Sequence, residues 1–353
     1  MRGDAVAPTV VPGHGDHVAD VEERDGVRLT SLDTELGDGL GVTKRDLVDH
    51  LDAFADRLVP LLSGRPLTVK RVRPGAEAFI QRDVPKGAPD WVQTVPTWSD
   101  RAHREVHQVL VEDRRTLLWL ANQRAVEFHV PFSRVGEEQP TGLVLDLDPP
   151  DSAGFGIVVR AAHLARRALA DAGLAAAVKT SGSTGLHVVV PVRGASPEDV
   201  AAATRALAAR TERLGPDLAT TAYVLSERGD RVFVDSTRSG RGTIAAAYSP
   251  RVRPGLPVSA PVDWDQLDDV RPGDVTVHTA RERIGGGDPW AAALPDPQDL
   301  PADLVAEGHT IPVAALAEHV GGGGQVGVQA FGAGREGAGG GGDVLRGLSL
   351  IHI

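Results

Sequence analysis

Asp146 and Asp148 stand one residue apart at the end of the run LVLDLDPP. Side chains two apart on a strand point to the same face, so both carboxylates project together while Leu145 and Leu147 pack on the other side. Adjacent carboxylates repel unless a cation sits between them. Hard divalent ions such as Mg²⁺ or Mn²⁺ take oxygen ligands of this kind and keep room for substrate phosphates. Asp235 closes RVFVD in the same manner, at a strand end and facing away from Val232 and Val234. Three carboxylates on neighbouring strand ends suffice for two metal ions roughly 3.5–4 Å apart, one activating an attacking hydroxyl and one clamping a leaving pyrophosphate. A D-x-D pair alone also occurs as two solvated acids, so the triad carries the reading.

The segment Ser181-Gly182-Ser183-Thr184-Gly185-Leu186-His187 joins two apolar stretches. Small residues let backbone N–H groups turn inward and the hydroxyls add donors, which makes a phosphate cradle. His187 could donate to a phosphate as well. The bland alternative is a hairpin turn followed by a buried histidine, and the Walker spacing is absent. His129, in VEFHVP, reads on its own as a packing residue. Lys70 and Arg71 end a predicted strand, and Phe79 and Arg82 follow a Pro-Gly turn. An exposed aromatic beside cations is a platform for a stacked base, although Phe79 alone reads as core.

These residues need a scaffold, and 353 residues with 41% hydrophobic and 24% charged content can supply one. Thr43 with Asp46 marks a helix start, followed by Leu47, Leu51, Phe54, Leu58 and Leu61 at helical spacing. Strands are predicted over 66–72, 107–113, 143–148, 186–192 and 231–235, and helices over 115–127, 157–172 and from Ser196-Pro197 to Gly215. Without strict alternation of strand and helix, the order predicts an α+β fold with a mostly antiparallel sheet and flanking helices. Residues 1–24 read as a loose leader, 25–290 as the catalytic domain, and 291–353 as a Pro/Gly-rich linker with a disordered tail.

The chain has no cysteine, which excludes disulfides and thiolate zinc sites. No signal segment or membrane-length apolar run is visible, so the expectation is a cytoplasmic protein with no membrane partner. The net charge of −11 argues mildly against nucleic acid, yet arginines crowd between 228 and 253. An acidic protein can still carry a basic cleft.

Taken in order, these segments resemble the polymerase module of bacterial ligase D, a member of the archaeo-eukaryotic primase superfamily that acts in non-homologous end joining. The resemblance runs from about Val27 to Ile284 and rests on GVTK, GRPLTVKR, the Phe79 segment, TLLWLANQRAVEFHVP, LVLDLDPP, KTSGSTGLHVVVPV, VFVDSTRSGRGTIAAAYSPR and PVDWDQL. It implies a primase-polymerase core whose Asp146, Asp148 and Asp235 are both catalytic and metal-binding, with Mn²⁺ or Mg²⁺ in a two-metal site. Ser181, Ser183, Thr184, His187, His129 and Arg251 are the implied nucleotide contacts. Lys44, Lys70, Arg71, Arg82 and the stacking Phe79 are the implied DNA contacts, at ends with a recessed 5′-phosphate.

The implied activity is template-directed nucleotidyl transfer from nucleoside triphosphates, ribonucleotides included, at double-strand breaks. A primase that starts chains unaided and a non-catalytic end-bridging module are the alternatives. This sequence departs from the family's pattern in having Thr184 where the phosphate loop normally carries lysine, for which Arg238 or Arg241 could compensate. Thr34 lies near the place of another usual lysine, and Ile80 replaces the second aromatic of the template platform. No ligase or nuclease motif is seen, so the expected setting is nucleoid-associated work beside a separate DNA ligase and an end-binding protein.

Overall fold

Thr43 accepts a hydrogen bond from the Asp46 amide while Asp46 caps the Thr43 backbone, and this reciprocal cap starts helix α1 (Lys44–Ala53). The chain is described here from a computed structural model covering residues 21–99, 102–240 and 242–313. The expected leader through residue 20, the glycine-rich tail from 314 onward and Arg241 lie outside the described residues.

A short hairpin, β1 (Glu22–Arg24) and β2 (Val27–Leu29), precedes α1, so the leader ends earlier than expected. Phe54 breaks the helical run, which resumes as α2 (Ala55–Leu62). Next come β3 (Thr68–Arg73), β4 (Ala76–Gln81), a separate hairpin of β5 (Thr94–Ser99) and β6 (Arg104–Val109), α3 (Arg114–Asn122) and β7 (Ala125–Val130). The helix expected over 115–127 therefore stops five residues early. Arg124 adopts φ +60° and turns the chain into β7, whose residues are all buried. A non-glycine residue in the left-handed region leaves little sequence signal. Arg124 is held there by its guanidinium, which donates to the carbonyls of Glu35 and Leu36 and to Thr34 Oγ1.

The second half runs β8 (Gly142–Asp148), α4 (Gly156–Asp171), β9 (Ala177–Thr180), β10 (Leu186–Pro191), α5 (Pro197–Leu214), β11 (Ala219–Thr220), α6 (Leu225–Arg228), β12 (Val232–Asp235), β13 (Ile244–Ala245) and β14 (Pro261–Val262). Ser196 caps α5 by accepting from the Asp199 amide, and Gly173, at φ +71°, lets the chain leave α4.

Two sheets result. A six-stranded sheet has the order β11-β12-β8-β10-β9-β14, antiparallel except between β11 and β12, and a four-stranded sheet has the order β13-β7-β3-β4. Leu143, Leu145 and Leu147 pack with Val158, Ala165 and Leu207 into one core beneath α4 and α5. Helices α1 to α3 pack the other core behind the four-stranded sheet. Fully burying each such leucine contributes about 1.5–3 kcal/mol, enough to lock strand register. The opposite faces of the two sheets bound a cleft of about 440 Å³.

Beyond α7 (Ala280–Ile284) and α8 (Pro289–Ala293), the stretch expected to be linker instead carries α9 (Ala302–Thr310). It docks on α5, with Leu304 fully buried and Glu307 paired to Arg210 and Arg213 at 2.6 Å each. The prolines that suggested a linker cap and punctuate these short helices. Among the described residues no helix is long and apolar enough to cross a membrane.

Candidate active site

Four chemically active residues form one straight row across four adjacent strands of the six-stranded sheet. Lys179 on β9 is paired with His187 on β10, His187 with Asp146 on β8, and Asp146 with Asp235 on β12. Asp148, two residues beyond Asp146, shares its face as the strand period requires. Asp146 and Asp148 thus line the cleft, and Asp235 stands beside Asp146 on the neighbouring strand.

Their charges are unevenly settled. Burial would raise Asp146, but His187 and then Arg238 and Arg251 hold it at about 2. Burial, reinforced by Asp146 and Asp235, pushes Asp148 up to about 8. Arg238 Nε lies 3.3 Å from Asp235 Oδ2 and 3.7 Å from Asp146 Oδ2, a cation between two carboxylates. Asp146 Oδ1 is buried without a hydrogen bond. Among the described residues no three acidic or histidine side chains already converge as a ligand set. The donor set still suits a hard divalent ion: carboxylate oxygens only, one orphaned, one acid kept from ionising, and an arginine in the gap.

The Ser/Gly loop is the turn between β9 and β10. Ser181 Oγ accepts from the amides of Ser183 and Gly185 at 3.1 Å each, stapling the loop. Gly182 has φ +71° and lies against Arg251 and the Ser259 backbone, where a Cβ would meet atoms at 2.7 and 2.8 Å. Thr184 is exposed at the tip, Arg253 Nε donates to Ser183 Oγ at 2.7 Å, and Arg251 Nη1 donates to the Ser181 carbonyl at 2.6 Å. His187 is buried at the cleft lining, with Nδ1 2.6 Å from Lys179 Nζ and Nε2 3.3 Å from Asp146 Oδ1.

On the opposite wall, Glu127 gathers the nucleotide candidates. Its carboxylate accepts from His129 Nε2 at 2.8 Å, Arg251 Nε at 3.0 Å and the Val252 amide at 2.9 Å. Burial would raise it, but these partners hold it at about 2. His129 Nδ1 is buried and unpartnered.

The expected DNA contacts do not form one patch. Lys44 is 4% exposed and donates to the Thr30 carbonyl at 2.7 Å; burial, then Arg124, lower it to about 8. It braces the β2–α1 connection and offers DNA nothing. Lys70 and Ile80 are a register pair lining the cleft, while Arg71 and Phe79 are a pair on the other face. Arg71 is tied to the Gln123 carbonyl and Gln81 and lies over the Phe79 ring at 5.6 Å, with Arg73 at 4.8 Å. Arg82 is exposed, with no hydrogen bond or ion pair among the described residues.

The sequence profile of the LigD primase-polymerase domain matches residues 43–290. The chain belongs to that family. The curated relatives that it matches are named as non-homologous end joining proteins. The chain is 32% identical over 286 residues to the bifunctional non-homologous end joining protein LigD of Bacillus subtilis, covering 79% of this chain and 46% of that one. With the multifunctional LigD of Mycobacterium bovis it shares 35% identity over 258 residues, 69% of this chain and 34% of the other. The chain thus spans between about a third and under half the length of these relatives. The solved polymerase domain of Mycobacterium tuberculosis ligase D in complex with DNA superposes with TM-score 0.70 at 32% identity, over 78% of this chain and 100% of that one.

Three residues of the LigD-type site escaped the sequence reading: Glu127, Lys179 and Arg253. Glu127 was assigned to a helix; once β7 is a strand, its spacing of two from His129 puts both on one face. Lys179 is one of only four lysines and opens the KTSG run, which was its one signal. Arg253 was lost among many arginines.

Proposed function

We propose that this domain is a template-directed nucleotidyltransferase that extends a 3′-hydroxyl at a DNA break, fills gaps with ribonucleotides as well as deoxyribonucleotides, and requires Mn²⁺ or Mg²⁺. The observation that carries this is the placement of Asp146 and Asp148 in a cleft lined by Arg238, Arg251 and Arg253, with Asp235 paired to Asp146 on the adjacent strand. Asp146, Asp148 and Asp235 would hold the metal, which when bound neutralises triphosphate charge and lowers the hydroxyl's pKa. Arg251, fixed by Glu127 and the Ser181 carbonyl, presents its remaining N–H groups to phosphate oxygens without paying for reorganisation. Arg253 and Ser183 would hold the outer phosphates at the loop, and Arg238, now beside Asp146 and Asp235, would be available to the phosphates if a metal neutralised those carboxylates. Lys70 and Ile80 form the wall against which the template base lies.

DNA with a recessed 5′-phosphate is the proposed substrate, and a DNA ligase and an end-binding protein are the proposed partners. The test is primer extension on such DNA with Mn²⁺ or Mg²⁺. Wild-type protein should add nucleotides opposite the template, and Asp148→Ala should abolish addition while leaving DNA binding within about twofold. Binding without addition under either metal would instead make the chain a non-catalytic end-bridging module, and addition on an unprimed template would make it a primase.

A further inference from the structure

Lys179 is an unusual core residue. Its side chain is among the largest fully buried ones in the chain, and it lies behind the metal-site aspartates rather than in the cleft. Nζ has three neighbours: Ser259 Oγ at 2.6 Å, the Ala245 carbonyl at 3.0 Å and His187 Nδ1 at 2.6 Å. The carbonyl can only accept. Ser259 Oγ donates its own hydrogen to the Thr180 carbonyl at 2.8 Å, so it too accepts from Nζ. The ammonium form, which burial disfavours, spends its third hydrogen on His187 Nδ1. With Nδ1 engaged there, Nε2 keeps its hydrogen and turns that edge to Asp146 Oδ1 at 3.3 Å. The opposite tautomer would set a bare nitrogen lone pair against a carboxylate.

We propose that Lys179 is a positioning residue for the metal site: through Nδ1 it fixes the ring and tautomer of His187, so that Nε2–H, 3.3 Å from Oδ1, orients the Asp146 carboxylate for a cation. The row Lys179, His187, Asp146, Asp235 is then one device. It is anchored at one end by three buried hydrogen bonds and ends at the reacting groups. A second consequence is structural economy. Ser259, Ala245 and Thr180 come from three different segments, so the same lysine ties the β13 and 257–260 segments to the edge of the catalytic sheet.

The proposal deepens the metal-site reading and rests on it, and the sign of one measurement separates positioning from simple charge. A buried cation behind a metal site repels the incoming ion, so a Lys179 that acted only by its charge would weaken Mn²⁺ binding, and Lys179→Met would tighten it. A Lys179 that positions Asp146 predicts the reverse. Titration of the full chain with Mn²⁺ alone should show Lys179→Met binding at least fivefold more weakly than wild type, and Ser259→Ala, which loosens one anchor of Nζ, about twofold more weakly. Long-range ¹H–¹⁵N spectra of ¹⁵N-histidine protein, assigned with His187→Gln, should show His187 protonated at Nε2 in wild type and mixed tautomers in Lys179→Met. A wild-type His187 protonated only at Nδ1, or unchanged or tighter Mn²⁺ binding by Lys179→Met, overturns the proposal. If Lys179→Met does not fold, the wild-type tautomer and Ser259→Ala decide. If wild type itself binds no Mn²⁺, the metal-site reading fails, and the tautomer alone decides the hydrogen-bond chain.

Discussion

Lys179 and Asp235 stand at the two ends of a single cross-strand row, with His187 and Asp146 between them. The register of three strand pairs therefore sets an order from a buried lysine to two carboxylates. A slip of one residue in any of the three ladders would move a member to the packed face of the sheet. The leucines of β8, packed under α4 and α5, prevent that slip and hold the chemistry in line.

Arg238 lies where that row ends, its Nε 3.3 Å from Asp235 and 3.7 Å from Asp146. A guanidinium between two carboxylates competes with a divalent ion for the same charge, and it becomes free for phosphates once the ion is in place. Arg238→Met should therefore bind Mn²⁺ about three- to tenfold more tightly without nucleotide, yet show a KM for nucleoside triphosphate raised about tenfold. Calorimetric Mn²⁺ titration and steady-state extension read the two effects separately. Parallel weakening of both would mean that Arg238 merely braces the aspartates.

Asp148 sets a pH dependence. Burial, Asp146 and Asp235 raise it from an ordinary 3.8 to about 8, so the folded metal-free chain keeps a proton that the unfolded chain releases. The Asp148 contribution to the stability of the metal-free protein therefore falls as pH rises from about 4 to 8, while buried His50 and His187, lowered to about 4 by desolvation, add stability up to about 6.5. Asp146 and Glu127, held at about 2, contribute only below that window. Metal binding needs the ionised carboxylate, so Mn²⁺ affinity should rise up to about tenfold per pH unit toward 8 and then level. Melting curves with and without Mn²⁺ at pH 5, 6.5 and 8 test this. In Asp148→Asn the Mn²⁺ slope should flatten, and metal-free stability should rise more steeply with pH than in wild type.

Much of this site was legible because strand chemistry has a period of two and ends abruptly. LVLDLDPP and RVFVD announced their carboxylates, and GVTK announced its helix cap. The misses have physical causes. β7 was hidden by Arg124, whose left-handed turn is stabilised by distant carbonyls rather than by its own type, and with β7 went Glu127. Lys44 and Arg71 carry the right charge, but their burial depends on partners, Thr30 and Gln123, that no local pattern names. α9 was read as linker because its only fully buried large side chain is Leu304, and its charged anchors lie on α5.

Glu127 is the hub of the wall facing the aspartates. Removing it leaves Arg251 and His129 without their buried acceptor, and unpairing a buried charge of this kind costs about 3–5 kcal/mol. Glu127→Ala should destabilise the fold by about that amount in urea. Glu127→Gln retains an acceptor for Arg251 Nε, so it should cost less stability but still raise the KM for nucleotide several-fold. Its kcat should change less, because the metal-site row is untouched. A kcat loss as large as that of Asp148→Ala would place Glu127 in the chemical step instead.

Thr184 is exposed at the tip of the phosphate loop and brings no charge, while Arg253 reaches the same loop through Ser183 Oγ. The positive charge at this end of the cleft thus comes from a neighbouring segment. Arg253→Ala should raise the KM for nucleoside triphosphate about five- to tenfold with little effect on folding, since the side chain is exposed. Thr184→Lys restores an ammonium at the tip and should recover most of that loss in the double variant. The pair forms a double-mutant cycle measured by extension kinetics at fixed ionic strength. Strict additivity of the two changes would mean that they serve different phosphates, and no effect of Arg253→Ala would return the compensating role to Arg238.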